Sequence, residues 1–169
     1  RVSAVNLSAV QFQEPWIVDQ ILDTLAETGL DPEGLELELT ETLLFEDRER
    51  VLAAVERLKA QGIGLSIDDF GTGYSSLAYL KRFKVDKLKI DRSFVSHLLH
   101  SEEDQAIVQA MIQIARSLNL TTLAEGIEDV ALAERLRELG CDQGQGYLYS
   151  RPLPAGELEQ WLTRFGAWA

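Results

Sequence analysis

Leu35-Glu36-Leu37-Glu38-Leu39-Thr40 is the stretch whose reading decides the fold. Its side chains alternate with a period of two, so a strand here has one apolar face and one acidic and polar face. A doubly wound sheet buries both faces of its strands under helices and has no place for either glutamate. In a barrel the apolar face meets the helices and the other looks inward. The pattern therefore predicts an α/β fold of the TIM-type (β/α)8 barrel class.

Working outward, short strand-like runs recur at residues 2–7, 63–67, 85–90, 121–124 and 146–149. Longer amphipathic segments separate them, the pattern of parallel βα units. One helix is expected from Pro15 to Gly29 with Ile17, Ile21 and Leu25 inward. A second is expected from about Glu46 to Gln61, with Val51, Val55 and Leu58 inward and Gly62 as its stop. Ser101-Glu102-Glu103-Asp104 resembles a capping box opening a third, with Ile107, Met111, Ile114 and Leu118 as its buried stripe and Asn119 as its end. Further helices are expected over 130–139, ending at Gly140, and after Pro154, with Leu158, Trp161, Leu162 and Phe165 packed inward. A full barrel takes about 250 residues, so about the last six βα units are expected here and roughly two are expected upstream. The opening Arg1-Val2-Ser3-Ala4, without an initiator Met or a signal-peptide pattern, fits a piece of a longer protein.

The 169 residues carry 28 acidic and 16 basic side chains, a formal charge of −12. That balance argues against DNA or an anionic membrane as partner, since both attract a basic face. An anionic ligand then needs metal ions or a few placed cations to reverse the local sign. One cysteine, Cys141, forms no internal disulfide and fits a reducing, cytoplasmic compartment; between Gly140 and Asp142 it reads as a packing residue.

Polar residues close nearly every strand: Asn6, Glu38, Asp68 with Asp69, Lys89 with Asp91, Glu125, and Gln145 just before the sixth. Barrel enzymes build their sites at these ends. A single acid at a strand end is often just the cap of the next helix. A ring of acids repels itself unless something positive sits among them. All-oxygen ligands without His or Cys favour Mg²⁺ or Mn²⁺ over zinc. Adjacent Asp68 and Asp69 suit two ions, and a metal pair suits in-line displacement at phosphorus. Lys89 is then the fixed cation, and Glu36 is expected to pair with Lys87 deeper on the same strand faces. His97 and His100 fall outside the pattern and read as surface or packing residues.

Val5-Asn6-Leu7-Ser8, Glu38-Leu39-Thr40-Glu41, Asp68-Asp69-Phe70-Gly71-Thr72-Gly73, Lys89-Ile90-Asp91, Ala124-Glu125-Gly126-Ile127-Glu128 and Gln143-Gly144-Gln145-Gly146-Tyr147 together resemble the EAL family of bacterial cyclic di-GMP phosphodiesterases. The resemblance runs over residues 1–169 as one domain, lacking its first part with the Glu-Ala-Leu motif and an arginine after it that contacts substrate. It implies Asn6, Glu38 and Asp68 as ligands of one metal ion, and Asp68, Asp69 and Glu125 as ligands of a second. Glu125 also matches a general base, Lys89 the residue that steadies the attacking water, and Gln145 a glutamine near water and phosphate. Glu41 and Glu128 match supports of a loop at 70–76. The implied reaction is Mg²⁺- or Mn²⁺-dependent hydrolysis of cyclic di-GMP to linear pGpG. A catalytically inactive domain that senses cyclic di-GMP is the alternative. Implied partners are cyclic di-GMP, sensor or cyclase domains fused in a parent protein that a missing segment can tether to a membrane, and a second copy in a homodimer.

Overall fold

A computed structural model of the chain describes residues 2–41, 43, 48–71 and 77–164. Strands and helices alternate in the order β1 Ser3–Leu7, α1 Ala9–Phe12, α2 Ile17–Thr28, β2 Leu35–Thr40, α3 Arg48–Ala60, β3 Gly64–Phe70, α4 Leu77–Phe83 and β4 Lys87–Ile90. They continue with α5 Arg92–Val95, α6 Glu102–Ser117, β5 Thr121–Ala124, α7 Val130–Leu139, β6 Gln143–Gly144 and α8 Ala155–Arg164. All neighbouring strands are parallel and the sheet order β1-β2-β3-β4-β5-β6 follows the chain. Such an order has no switch point of the doubly wound kind. The sheet curls into a half-barrel of the TIM type.

The alternation in β2 divides the two faces as expected. Leu35, Leu37 and Leu39 join the core with Leu65, Ile67, Leu88 and Ile90 of the neighbouring strands and Val51, Val55 and Leu58 of α3. On the inner face Glu36 is buried against Lys87 at 2.6 Å, and Glu38 against Lys89 at 2.6 Å. Two glutamates can be buried there because each meets a lysine two strands away; an isolated carboxylate would stay protonated instead.

Three expectations are corrected. The sixth strand is Gln143–Gly144, and residues 146–149 form a turn in which the Tyr149 N–H donates to the Gly146 carbonyl at 3.1 Å. Gly146 lies so close to the preceding loop that an added methyl would sit 2.1 Å from the Ile127 carbonyl oxygen, so the chain bends where its Tyr and Leu composition reads as a strand. The centre of the buried face of α6 is Val108, Met111, Ile112 and Ala115, with Ile107, Ile114 and Leu118 packed at its sides, because this helix rests on β4 and β5 together. In α8, Leu158 is 43% exposed and Trp161 and Leu162 are half-buried, since a groove of about 920 Å³ opens between this helix, Ala4 of β1 and Leu123 of β5. Phe165 and the expected start of the second helix lie outside the described residues.

Candidate active site at the strand ends

β3 does not run straight to its end. Its pairing with β4 slips between Ile67 and Phe70, and Asp69 takes a left-handed backbone with φ 57°. A bulge of this sort re-aims side chains, and bulges recur beside active sites. Strand alternation already sends the two adjacent acids to opposite sides, and the slip falls at Asp69. Asp68 turns inward, with its side chain 16% exposed, while Asp69 stays exposed. The Asp69 N–H donates to Asp68 Oδ1 at 3.0 Å, which anchors the turn.

Lys89 is the point on which the strand ends converge. Its Nζ lies 2.6 Å from Glu38 Oε2, 2.8 Å from Glu125 Oε1 and 3.1 Å from Asp68 Oδ2, and its side chain is 3% exposed. Burial alone would lower the ammonium's pKa, but the hydrogen bonds of Glu125 and Glu38 hold it well above its ordinary value, so it stays charged. Burial also raises Glu125, against the opposing pull of Lys89, with Asp68 and Glu38 adding repulsion. Asp69 is raised by burial and by repulsion from Asp68 and Asp91.

The remaining expected residues lie at or just beyond the same strand ends. Asn6 of β1 is exposed and lies opposite Glu38 in register. Gln145 follows β6 directly, so it sits at the end of its strand like the others; its N–H donates to the Ala124 carbonyl at 2.9 Å, and its carbonyl accepts from Ile127 N–H at 3.0 Å. Glu41 is buried, and its Oε2 accepts from Gly71 N–H at 3.1 Å. It thus touches the start of the glycine loop, whose residues 72–76 lie outside those described. Glu128 pairs with Arg92 at 3.1 Å. Asp91 caps α5, accepting from Ser93 N–H at 2.9 Å, and these bonds bring its carboxyl below the usual range although burial opposes them. His97 and His100 are exposed, and Cys141 is a half-buried thiol packed against the core.

Among the described residues, no three His, Cys, Asp or Glu side chains are gathered as a ready-made cation cage. The acids are turned onto Lys89 instead. The donor set still suits a hard divalent cation: it is all oxygen, and Glu38, Asp68 and Glu125 share one ammonium with Asp69 next to them, which leaves negative charge uncompensated. Sequence reading missed Arg92, whose contact with Gly126 crosses between two loops and leaves no local pattern. Among the described residues no helix is long and apolar enough to cross a membrane.

Comparison with known proteins gives the family and the fold. The EAL domain family matches residues 1–152. The chain is 49% identical over 155 residues to a protein of Pseudomonas aeruginosa named bifunctional diguanylate cyclase/cyclic di-GMP phosphodiesterase MucR, an overlap of 92% of this chain and 23% of that protein. It therefore spans about a quarter of that relative's length. A solved MucR phosphodiesterase in complex with c-di-GMP superposes with a TM-score of 0.88 at 49% identity, covering 92% of this chain and 63% of that one. Klebsiella pneumoniae BlrP1, solved with manganese and c-di-GMP, superposes with a TM-score of 0.82 at 35% identity, covering 90% and 39%.

Proposed function

The chain belongs to the EAL domain family, and on that premise we propose that it hydrolyses cyclic di-GMP to linear pGpG with the help of divalent metal. The observation that carries the proposal is the buried Lys89 ammonium, bonded to carboxylates from the ends of β2 and β3 and from the residue after β5. An arrangement of this kind holds acids in place without neutralising all of them. Their surplus charge is what a divalent cation meets before an anionic phosphodiester can enter.

In this reading Asn6, Glu38 and Asp68 hold one Mg²⁺ or Mn²⁺ ion, and Asp68, Asp69 and Glu125 hold a second. When bound, such ions supply Lewis-acid charge to the phosphoryl group. Lys89 orients the attacking water, with Gln145 alongside. Glu125 is half-buried beside Lys89, which places it to accept the water's proton. The water oxygen bonds to phosphorus, the P–O bond to one ribose 3′ oxygen breaks, and that oxygen takes up a proton. The linear product keeps the phosphate on the 5′ side. Glu41 holds the start of the glycine loop through Gly71, and Glu128 supports the same region. MucR is named for a diguanylate cyclase joined to a phosphodiesterase; we extend that to a parent protein in which further signalling domains accompany this segment, in the cytoplasm and as a homodimer.

A domain that binds cyclic di-GMP without cutting it is the second reading. It is favoured by the solved relative in complex with c-di-GMP, which speaks for binding and not for cutting. The deciding assay incubates this chain with cyclic di-GMP and Mn²⁺ or Mg²⁺, uses Glu125→Gln as control, and separates products chromatographically. Linear product from the wild type and none from the control supports the phosphodiesterase. Saturable binding without product supports the sensor, and neither binding nor product sinks both.

A further inference from the structure

Glu125 is held on two sides, and only one of them belongs to the sheet. On the sheet side its N–H donates to the Ile90 carbonyl at 3.1 Å, and Ile127 is tied to the Gln145 carbonyl at 3.0 Å. On the other side lies Gly126, in a left-handed backbone with φ 71°. A methyl group added there would sit 2.5 Å from Arg92 Cγ, 2.9 Å from Arg92 Cβ and 3.0 Å from Arg92 Cδ. No side chain fits under that stem, so glycine is required both by the backbone angle and by the packing. Arg92 is itself fixed at the start of α5, where Asp91 caps the helix through Ser93.

We propose that Arg92 is a positioning residue for Glu125: its aliphatic stem, laid across Gly126, holds the Glu125–Gly126 peptide so that the carboxylate meets Lys89. The inference rests on the phosphodiesterase reading for its effect on turnover, though not for its effect on geometry. The stem does the positioning. The guanidinium lies 3.1 Å from Glu128, but the two side chains are 64% and 53% exposed, and water screens such a pair. Removing the stem opens space directly over a glycine, the residue least able to resist backbone movement. The 2.8 Å contact between Glu125 and Lys89 then loosens.

The test compares Arg92→Ala, which removes the stem, with Arg92→Met, which keeps its length and loses the charge. Circular dichroism checks the fold of each. In the cyclic di-GMP assay with Mn²⁺, Arg92→Ala lowers kcat about tenfold with KM unchanged, as expected for a small misplacement of a reacting group, and Arg92→Met restores it. The second readout needs neither turnover nor metal: the ¹⁵N resonance of the buried Lys89 ammonium shifts in Arg92→Ala and stays in place in Arg92→Met. If Arg92→Ala does not fold, Arg92→Ser, which replaces the Cγ and Cδ contacts with one small hydroxyl, takes its place with the same reading. Equal losses in the stemless and Met variants, or no loss and no shift in either, overturn the proposal. A wild-type chain that turns nothing over refutes the phosphodiesterase reading separately, and the Lys89 resonance then decides on Arg92 alone.

Discussion

At Lys89, desolvation and pairing oppose one another, and pairing wins because three carboxylates supply it. Deleting the lysine leaves those acids facing each other with little water to separate them. Lys89→Met should therefore destabilise the fold by about 3 kcal/mol, read as a lowered urea midpoint, and abolish turnover; an unchanged midpoint would show that the acids are solvated. Ser66 is the opposite case. Its hydroxyl is fully buried on β3 without a hydrogen-bond partner among the described residues, a cost already present in the native state. Ser66→Ala should leave stability equal or raise it by up to about 1 kcal/mol in a thermal melt, and a clear loss would mean that the hydroxyl is satisfied after all. Residue by residue, Glu38, Asp68, Lys89 and Glu125 were visible in the sequence as polar side chains at strand ends. Their meeting at one nitrogen was not, because Glu38 and Lys89 stand 51 positions apart and no local spacing encodes that contact.

Between elements, the same device appears twice at the end of the sheet opposite the site. Asp86, just before β4, accepts from the Leu65 N–H of β3 at 2.9 Å, and Asp142, just before β6, accepts from the Thr122 N–H of β5 at 2.8 Å. Each carboxylate satisfies a backbone donor in the preceding strand and so pins one strand to the next. Asp142 also accepts from the Thr122 hydroxyl at 2.7 Å. The backbone bond from Thr122 lowers the Asp142 carboxyl most; burial opposes it, and the Thr122 hydroxyl and nearby Arg116 lower it further. A lowered native pKa means that this stabilisation is present above the unfolded value of about 4 and is lost as pH falls through the native one. Asp142→Ala should cost about 2 kcal/mol at pH 7, and the gap to wild type should close in strongly acidic buffer; a gap independent of pH would mean that the carboxylate's charge is not what counts. Periodicity placed most helices well, and Asn119, expected to end α6, does follow it in a left-handed backbone with φ 56°. It failed at β6, where two residues pair and the aromatic run behind them turns away, because Gly146 must pass close to the Ile127 backbone.

For the whole molecule, the described sheet has two unpaired edges, since β1 and β6 each pair on one side only. Beside β1 lies an apolar groove of about 690 Å³ lined by Val5, Ile17, Ile21, Leu25, Leu35 and Leu37, with Val5 47% exposed. In these 169 residues taken on their own, open edges with apolar surface beside them invite pairing between copies. Sedimentation of this chain should show mass rising with concentration, and Val5→Lys should suppress the rise; a concentration-independent monomer would mean that the edge is protected. The division between what was legible and what was not follows from the range of the forces involved. The sequence by itself determined the barrel class, the strand-end placement of the polar residues and the oxygen-rich character of the site, because alternation and chain order are local properties of a strand. Only the tertiary structure decided that β3 bulges at Asp69, that three acids share one lysine, and that Arg92 lies across Gly126. Those outcomes depend on register, on the curl of the sheet and on packing between segments distant in the chain, which are settled when the strands pair and not before.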